Sequence, residues 1–228
     1  MTHNKVLPCK KEYILFDLDG TLTDSFLGIT QSVQHALRSF NIEVENLNEL
    51  RRFIGPPLDQ SFKDYYNFSD EEAKEAIKKY RERYTDKGIF ENELYEGIRD
   101  LLEELVENGK VVLMATSKPE VYARRIADFF DITQYFTQIC GSEMDGKRQD
   151  KAEVVALALE SQGVTDLSKA IMVGDRKHDI EGAKKNSIDS IGVLYGYGEL
   201  QELKDSGADY IAETVADLKK LLIPSKQK

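Results

Sequence analysis

The chain of 228 residues has no tryptophan, two cysteines, five prolines and three histidines, and it contains no apolar run long enough to span a bilayer. Each scarcity closes off a class. Cys9 and Cys140 are far apart and follow no metal-ligand spacing, so neither a disulfide framework nor a thiolate metal site is expected and both should be unpaired thiols. His178 has no second histidine near it, which leaves it a surface or supporting residue. Basic residues are outnumbered, 31 Lys and Arg against 41 Asp and Glu for a net charge of -10, and no basic stripe stands ready to neutralise phosphodiesters. Nucleic acid is therefore not an expected partner, and neither is a membrane. Residues 1–11 lack the apolar stretch and small-residue cleavage site of a signal peptide, so the expected location is cytoplasmic. Asn67-Phe68-Ser69 then matches a glycosylation acceptor only formally. Internal repeats and low-complexity segments are absent, and only residues 224–228 read as a loose tail.

What remains is a chain with 41% hydrophobic and 32% charged residues, enough apolar material for a proper core. Tyr13-Ile14-Leu15-Phe16 is an apolar run that stops at Asp17-Leu18-Asp19-Gly20-Thr21. It reads as a buried strand delivering two carboxylates to its C-terminal edge, where they cost desolvation unless a cation or hydrogen bonds compensate them. Residues 25–40 carry Phe26, Ile29, Val33, Ala36, Leu37 and Phe40 at helical spacing. Further helices are predicted at 48–53, 58–66 and from Ser69, whose spacing to Glu72 is that of a capping box. From Tyr95 onward strands and helices alternate: helices at 97–107, 118–130, 150–161, 179–185, 200–204 and 215–222, strands at 111–115, 135–140, 170–173, 190–194 and 210–212. That pattern means an α/β fold with a parallel sheet covered on both faces. The expected domains are an α/β core of 1–24 and 91–228, interrupted by an all-helical insertion at 25–90.

Ligands of open parallel sheets bind beyond the carboxyl ends of the strands, so the other strand ends matter. The strand 111–115 ends in Thr116-Ser117-Lys118 ahead of a helix, an arrangement that either binds an anion or merely caps the helix. A later strand ends in Gly174-Asp175, with Asp179 four residues beyond. Acids from two sheet edges in one crevice repel unless a cation joins them, and oxygen donors of this kind suit Mg²⁺. A P-loop reading of 141–148 fails because Arg148 stands where Ser or Thr must be. An EF-hand reading of 17–28 fails at Leu22 and Gly28. Tyr195-Gly196-Tyr197-Gly198 reads as a glycine-rich turn.

With these residues in view the chain resembles a haloacid dehalogenase superfamily hydrolase of the phosphoglycolate phosphatase-like branch, a Rossmann-like core with a helical cap domain. The motifs that carry the resemblance are Asp17-Leu18-Asp19-Gly20-Thr21, Thr116, Lys151, and Asp175 with Asp179. Lys147 competes with Lys151 for the lysine motif. The resemblance implies a Mg²⁺-dependent phosphatase acting on a small phosphorylated molecule through an aspartyl-phosphate. In it Asp17 is nucleophile and metal ligand, and Asp19 is acid-base with its main-chain oxygen on the metal. Asp175 and Asp179 are further metal ligands, while Thr116, Ser117 and Lys151 bind phosphate. Arg52, Ile54, Gly55 and Pro56, with Arg51 beside them, are the candidate specificity residues of the cap. Phosphoglycolate is the favoured substrate. A 5'-nucleotidase, a phosphosugar mutase and a non-catalytic phosphate-binding module are the alternatives. The second aspartate argues against dehalogenation, and the insertion argues against a receiver domain.

Overall fold

The computed structural model describes residues 7–223, so the expected tail at 224–228 and residues 1–6 lie outside the described residues. The chain divides into two compact units, one of 1–22 with 94–228 and one of 23–93.

The larger unit is built on a six-stranded parallel sheet. In chain order its elements are β1 (Tyr13–Phe16), then, after the insertion, α4 (Ile98–Glu107), β4 (Val111–Pro119), α5 (Glu120–Phe129), β5 (Gln138–Ser142) and α6 (Lys151–Ser161). They continue with β6 (Ala170–Gly174), α7 (Lys177–Lys185), β7 (Asp189–Val193), α8 (Leu200–Ser206), β8 (Tyr210–Ala212) and α9 (Val215–Leu222). The strand order is β5-β4-β1-β6-β7-β8. β1 is flanked by β4 and β6, with Phe16 level with Met114 on one side and Val173 on the other. Ile14, Leu15 and Phe16 have no solvent exposure, as a strand covered on both faces requires. Leu15, Leu113 and Met172 meet Val154, Val155 and Ala158 of α6 in one apolar cluster.

Several boundaries depart from the sequence expectation. Lys118 and Pro119 continue β4 instead of opening α5. A residue before proline is pushed out of the helical region, and Pro119 itself is extended with ψ 129°. The strand predicted at 135–140 starts later, because Thr133–Tyr135 forms a 3-10 turn and β5 begins at Gln138. α7 also starts two residues early, with Asp179 in its first turn accepting from Arg176 N at 3.0 Å.

The smaller unit begins and ends in the short strands β2 (Thr23–Asp24) and β3 (Glu93–Leu94), which pair as a ribbon. Between them lie α1 (Phe26–Arg38), a 3-10 segment Leu47–Phe53, α2 (Leu58–Tyr66) and α3 (Asp70–Tyr84). The capping box of Ser69 and Glu72 forms as expected. Phe53 packs edge-on against Phe62 and Tyr65. Arg83 forks onto Glu91 at 2.7 and 2.9 Å, tying the end of α3 to the segment that follows it.

Candidate functional site

The carboxyl ends of β1 and β6 lie side by side, and each delivers an aspartate to the same place. Asp17 follows β1 directly, its N–H still in the ladder to Val173 O at 2.9 Å. Asp175 follows β6, and α7 brings Asp179 back beside it. One carboxylate oxygen from each of Asp17, Asp175 and Asp179 lies within 4.8 Å of the others, and all three residues are buried. Lys151, the first residue of α6, places Nζ 2.7 Å from Asp17 Oδ1 and 2.9 Å from Asp179 Oδ1, and donates to Ala115 O at 3.1 Å. Lys147 is exposed and pairs with Asp145, so only Lys151 stands among the acids.

The electrostatics follow from this crowding. Burial, with Asp179 and Asp17 as like-charged neighbours, holds the Asp175 carboxyl well above the usual carboxylate range. Asp179 is pushed up to about 6, by burial foremost and by Asp17, against the opposing pull of Lys151. Burial depresses Lys151, yet Asp17 and Asp179 together overcome it and raise the ammonium above its ordinary value. Three acids against one lysine leave negative charge uncompensated, and hard oxygen donors converge on one point. The residues present fit Mg²⁺, which prefers carboxylates and water to nitrogen or sulfur.

The site is held by close backbone approaches. Gly20 has φ +83°, and a Cβ there would lie 2.2 Å from Asp175 Oδ2. Asp175 Oδ2 accepts from Tyr197 N at 2.8 Å, and Tyr195 donates its hydroxyl to Thr21 O at 3.1 Å. A Cβ on Gly198 would meet Asp175 O at 1.8 Å. The glycine-rich turn thus clasps both aspartate loops, a role the sequence reading left undrawn because it depends on β7 lying next to β6. Gly198→Ala is expected to destabilise the fold by about 1–3 kcal/mol, the usual cost of overpacking; a denaturation midpoint equal to wild type would exclude the clasp.

Other candidates are placed as follows. Thr116 is buried, and its Oγ1 accepts from Lys118 N at 3.2 Å. Ser117 is half-buried, and its carbonyl accepts from Ser142 Oγ at 2.8 Å. The Asp19 side chain stands apart from the three clustered carboxylates: its Oδ2 pairs with Lys118 Nζ at 2.9 Å. The sequence carries no local signal for this pairing, because Asp19 and Lys118 stand 99 residues apart and meet only through the extended end of β4. His178 is half-buried, and burial with Lys177 and Arg176 nearby lowers its proton affinity. In the smaller unit Arg51 and Arg52 are exposed, and the Arg52 guanidinium lies 4.1 Å over the Tyr65 ring. Gly55 has φ +103° and Pro56 is half-buried. Ile54 is fully buried, so its side chain packs inside the protein. Cys9 and Cys140 are both free thiols, and no described helix is long and apolar enough to cross a membrane.

Asp179 binds its proton more tightly folded than unfolded, so its contribution favours the fold below about pH 4 and is lost as pH rises through about 6. In EDTA, the melting temperature of Asp179→Asn minus that of wild type should therefore be more positive at pH 7.5 than at pH 5. A difference that does not change with pH would reject the raised affinity.

Comparison with known proteins places this geometry. The family model described as haloacid dehalogenase-like hydrolase matches residues 14–193. A 5'-nucleotidase of Pseudomonas aeruginosa is 45% identical over 92% of this chain and 94% of its own length. Tyrosine-protein kinase PtkA of Mycobacterium tuberculosis is 37% identical over 92% of this chain and 72% of its own. A phosphoglycolate phosphatase of Aliivibrio fischeri is 27% identical over 88% and 91%. The crystal structure of a predicted phosphatase from Clostridium acetobutylicum superposes with TM-score 0.90 at 48% identity, covering 92% of this chain and 97% of that one.

Proposed function

We infer the activity from one premise: this chain belongs to the haloacid dehalogenase-like hydrolase family, and its reaction is hydrolysis of a phosphoric monoester. The observation that carries this reading is the convergence of Asp17 and Asp175, at two adjacent strand ends, with Lys151 and Asp179, in the first turns of α6 and α7, the Asp19 carboxylate lying outside the cluster.

In the proposed reaction a carboxylate oxygen of Asp17 attacks phosphorus, and the bond from phosphorus to the leaving oxygen breaks. Asp19 gives its proton to that oxygen. It then takes a proton from the water that attacks the aspartyl-phosphate, which releases inorganic phosphate and restores Asp17; such acid-base duty contributes on the order of 10² to 10⁴ in rate. Lys151 and the hydroxyl of Thr116, with Ser117, hold the phosphoryl oxygens that are not transferred and offset charge as it develops. The carboxylates of Asp17, Asp175 and Asp179, with the main-chain oxygen of Asp19, would hold Mg²⁺, whose charge allows a carboxylate to approach an anionic phosphate. The unit of 23–93 is proposed as the cap domain that selects the substrate, with Arg52, Gly55 and Pro56 as its contacts.

A nucleoside monophosphate is the favoured substrate, because the 45% identical relative is named a 5'-nucleotidase. Phosphoglycolate is second. Phosphate release from a panel of nucleotides, phosphorylated acids and phosphosugars, with Mg²⁺ and with EDTA, tests the whole reading. Turnover should require Mg²⁺ and be fastest on nucleoside monophosphates. Full activity in EDTA would reject the metal assignment; a requirement for a bisphosphate activator would indicate a mutase; no turnover on any monoester would leave a binding module. Phosphoryl transfer from ATP to a protein tyrosine is a second reading, favoured by the relative named a tyrosine-protein kinase, and labelled ATP with the purified protein tests it.

A further inference from the structure

We propose that Lys118 is a positioning residue that holds one oxygen of the Asp19 carboxylate and leaves the other for the leaving group, an inference that rests on the reading of Asp19 as the proton carrier. Lys118 Nζ lies 2.9 Å from Asp19 Oδ2, and the two side chains are only 7% and 10% exposed. Asp19 Oδ1 is buried and has no hydrogen-bond partner among the described residues. An ion pair this deep repays its desolvation only with good geometry, and here it fixes the carboxylate while keeping one oxygen uncommitted.

The backbone is shaped to deliver this lysine. β4 runs past Thr116, and its register to β5 shifts between Ala115 and Pro119. Pro119 forces Lys118 into extended geometry. Gly141 of β5 lets the bulged segment press close, since a Cβ there would lie 2.6 Å from Lys118 O and 2.7 Å from Glu120 N. Ser142 Oγ fastens the same segment through Ser117 O at 2.8 Å, and Lys118 N donates to Thr116 Oγ1 at 3.2 Å. Lys118 and Lys151 therefore have separate tasks. Lys151 pairs with Asp17 and Asp179 of the carboxylate cluster, whereas Lys118 pairs with the acid outside it. The same bulge places the backbone of Lys118 on the hydroxyl that would receive a phosphoryl oxygen, so one short segment sets the acid and the phosphate contact together.

The test compares Lys118→Met and Lys118→Arg, alone and combined with Asp19→Asn, on a nucleoside monophosphate and an aryl phosphate, together with a crystal structure of Lys118→Met. Misplacement of a reacting group by about 1 Å costs up to about 10²-fold, so Lys118→Met should lower kcat by roughly 10- to 100-fold with KM changed less than about threefold. Lys118→Arg should recover most of that loss. Adding Lys118→Met to Asp19→Asn should change kcat little, because residues that act as a unit are not additive. A KM increase at constant kcat would make Lys118 a substrate-binding group and overturn the proposal. So would additive losses in the double variant, or an Asp19 carboxylate that keeps its position in the Lys118→Met crystal. The crystallographic arm needs no turnover: inactivity of wild type on every monoester would sink the phosphatase reading, while the Asp19 position would still judge Lys118. Should Lys118→Met fail to fold, Lys118→Gln takes its place in each arm.

Discussion

Asp17→Asn should lose turnover by at least roughly 10⁴-fold on every substrate while remaining folded, because the amide cannot form the covalent intermediate and no neighbour is placed to substitute for it. Stability should move in the opposite direction to activity. Asp17 is one of the like charges that raise the proton affinity of Asp175 and Asp179, so removing its charge relieves repulsion in the cluster. Lys151 keeps Asp179 as a partner at 2.9 Å. The melting temperature in EDTA is therefore expected to equal or exceed that of wild type at neutral pH. Phosphate release and thermal melting on the same sample check both halves. Activity within tenfold of wild type would reject Asp17 as nucleophile, and a collapsed melting temperature would reject the charge argument.

Lys151→Met carries the largest expected effect on stability. It leaves Asp17 and Asp179 buried, with 4% and 1% exposure, and without the ammonium that now bridges them. Removing one partner of a buried pair costs about 3–5 kcal/mol, which at about 2–4 °C per kcal/mol for a chain of this size is roughly 6–20 °C in melting temperature. The loss should be smaller at pH 5 than at pH 8, because Asp179, already raised to about 6, can take up a proton and relieve the pair. It should also shrink in Mg²⁺, since a ligand that binds only the folded state stabilises by about 2.7 kcal/mol at one hundred times its dissociation constant. Differential scanning calorimetry at two pH values, with EDTA and with Mg²⁺, measures all four cases. A loss independent of both pH and Mg²⁺ would mean that Lys151 serves packing alone, and that these carboxylates hold no cation.

The alternating pattern from Tyr95 onward was legible because a strand buried on both faces must be a short apolar run and a covering helix must be amphipathic. The aspartates were legible because a charge at the end of such a run is too costly to be incidental. Asp175 and Asp179 lie more than 150 residues from Asp17, yet their shared chemistry pointed to one crevice before any coordinates did. Local chemistry also marked the capping box at Ser69 and Glu72, where donor and acceptor are only three residues apart.

Other assignments needed the tertiary structure. Whether Lys147 or Lys151 joins the acids depends on where α6 begins against β4, a distance of many residues in sequence and one hydrogen bond to Ala115 O in space. Lys118 was assigned to a helix although Pro119 disfavours helical geometry before it; that it continues β4 and meets Asp19 depends on the shifted register to β5 and on a contact 99 residues away in sequence. Tyr195 to Gly198 read as an ordinary turn because its contacts, Thr21 O and Asp175, are supplied by strands it never touches in sequence. By itself, then, the sequence determined the α/β class and marked the carboxylates at the strand ends as candidates to hold a cation, since these follow from periodicity and from the cost of burying charge. The tertiary structure alone decided which lysine serves which acid and what clasps the aspartate loops. Those choices turn on strand register and close backbone approach, and pairwise distances of a few ångströms leave no periodic trace in a chain.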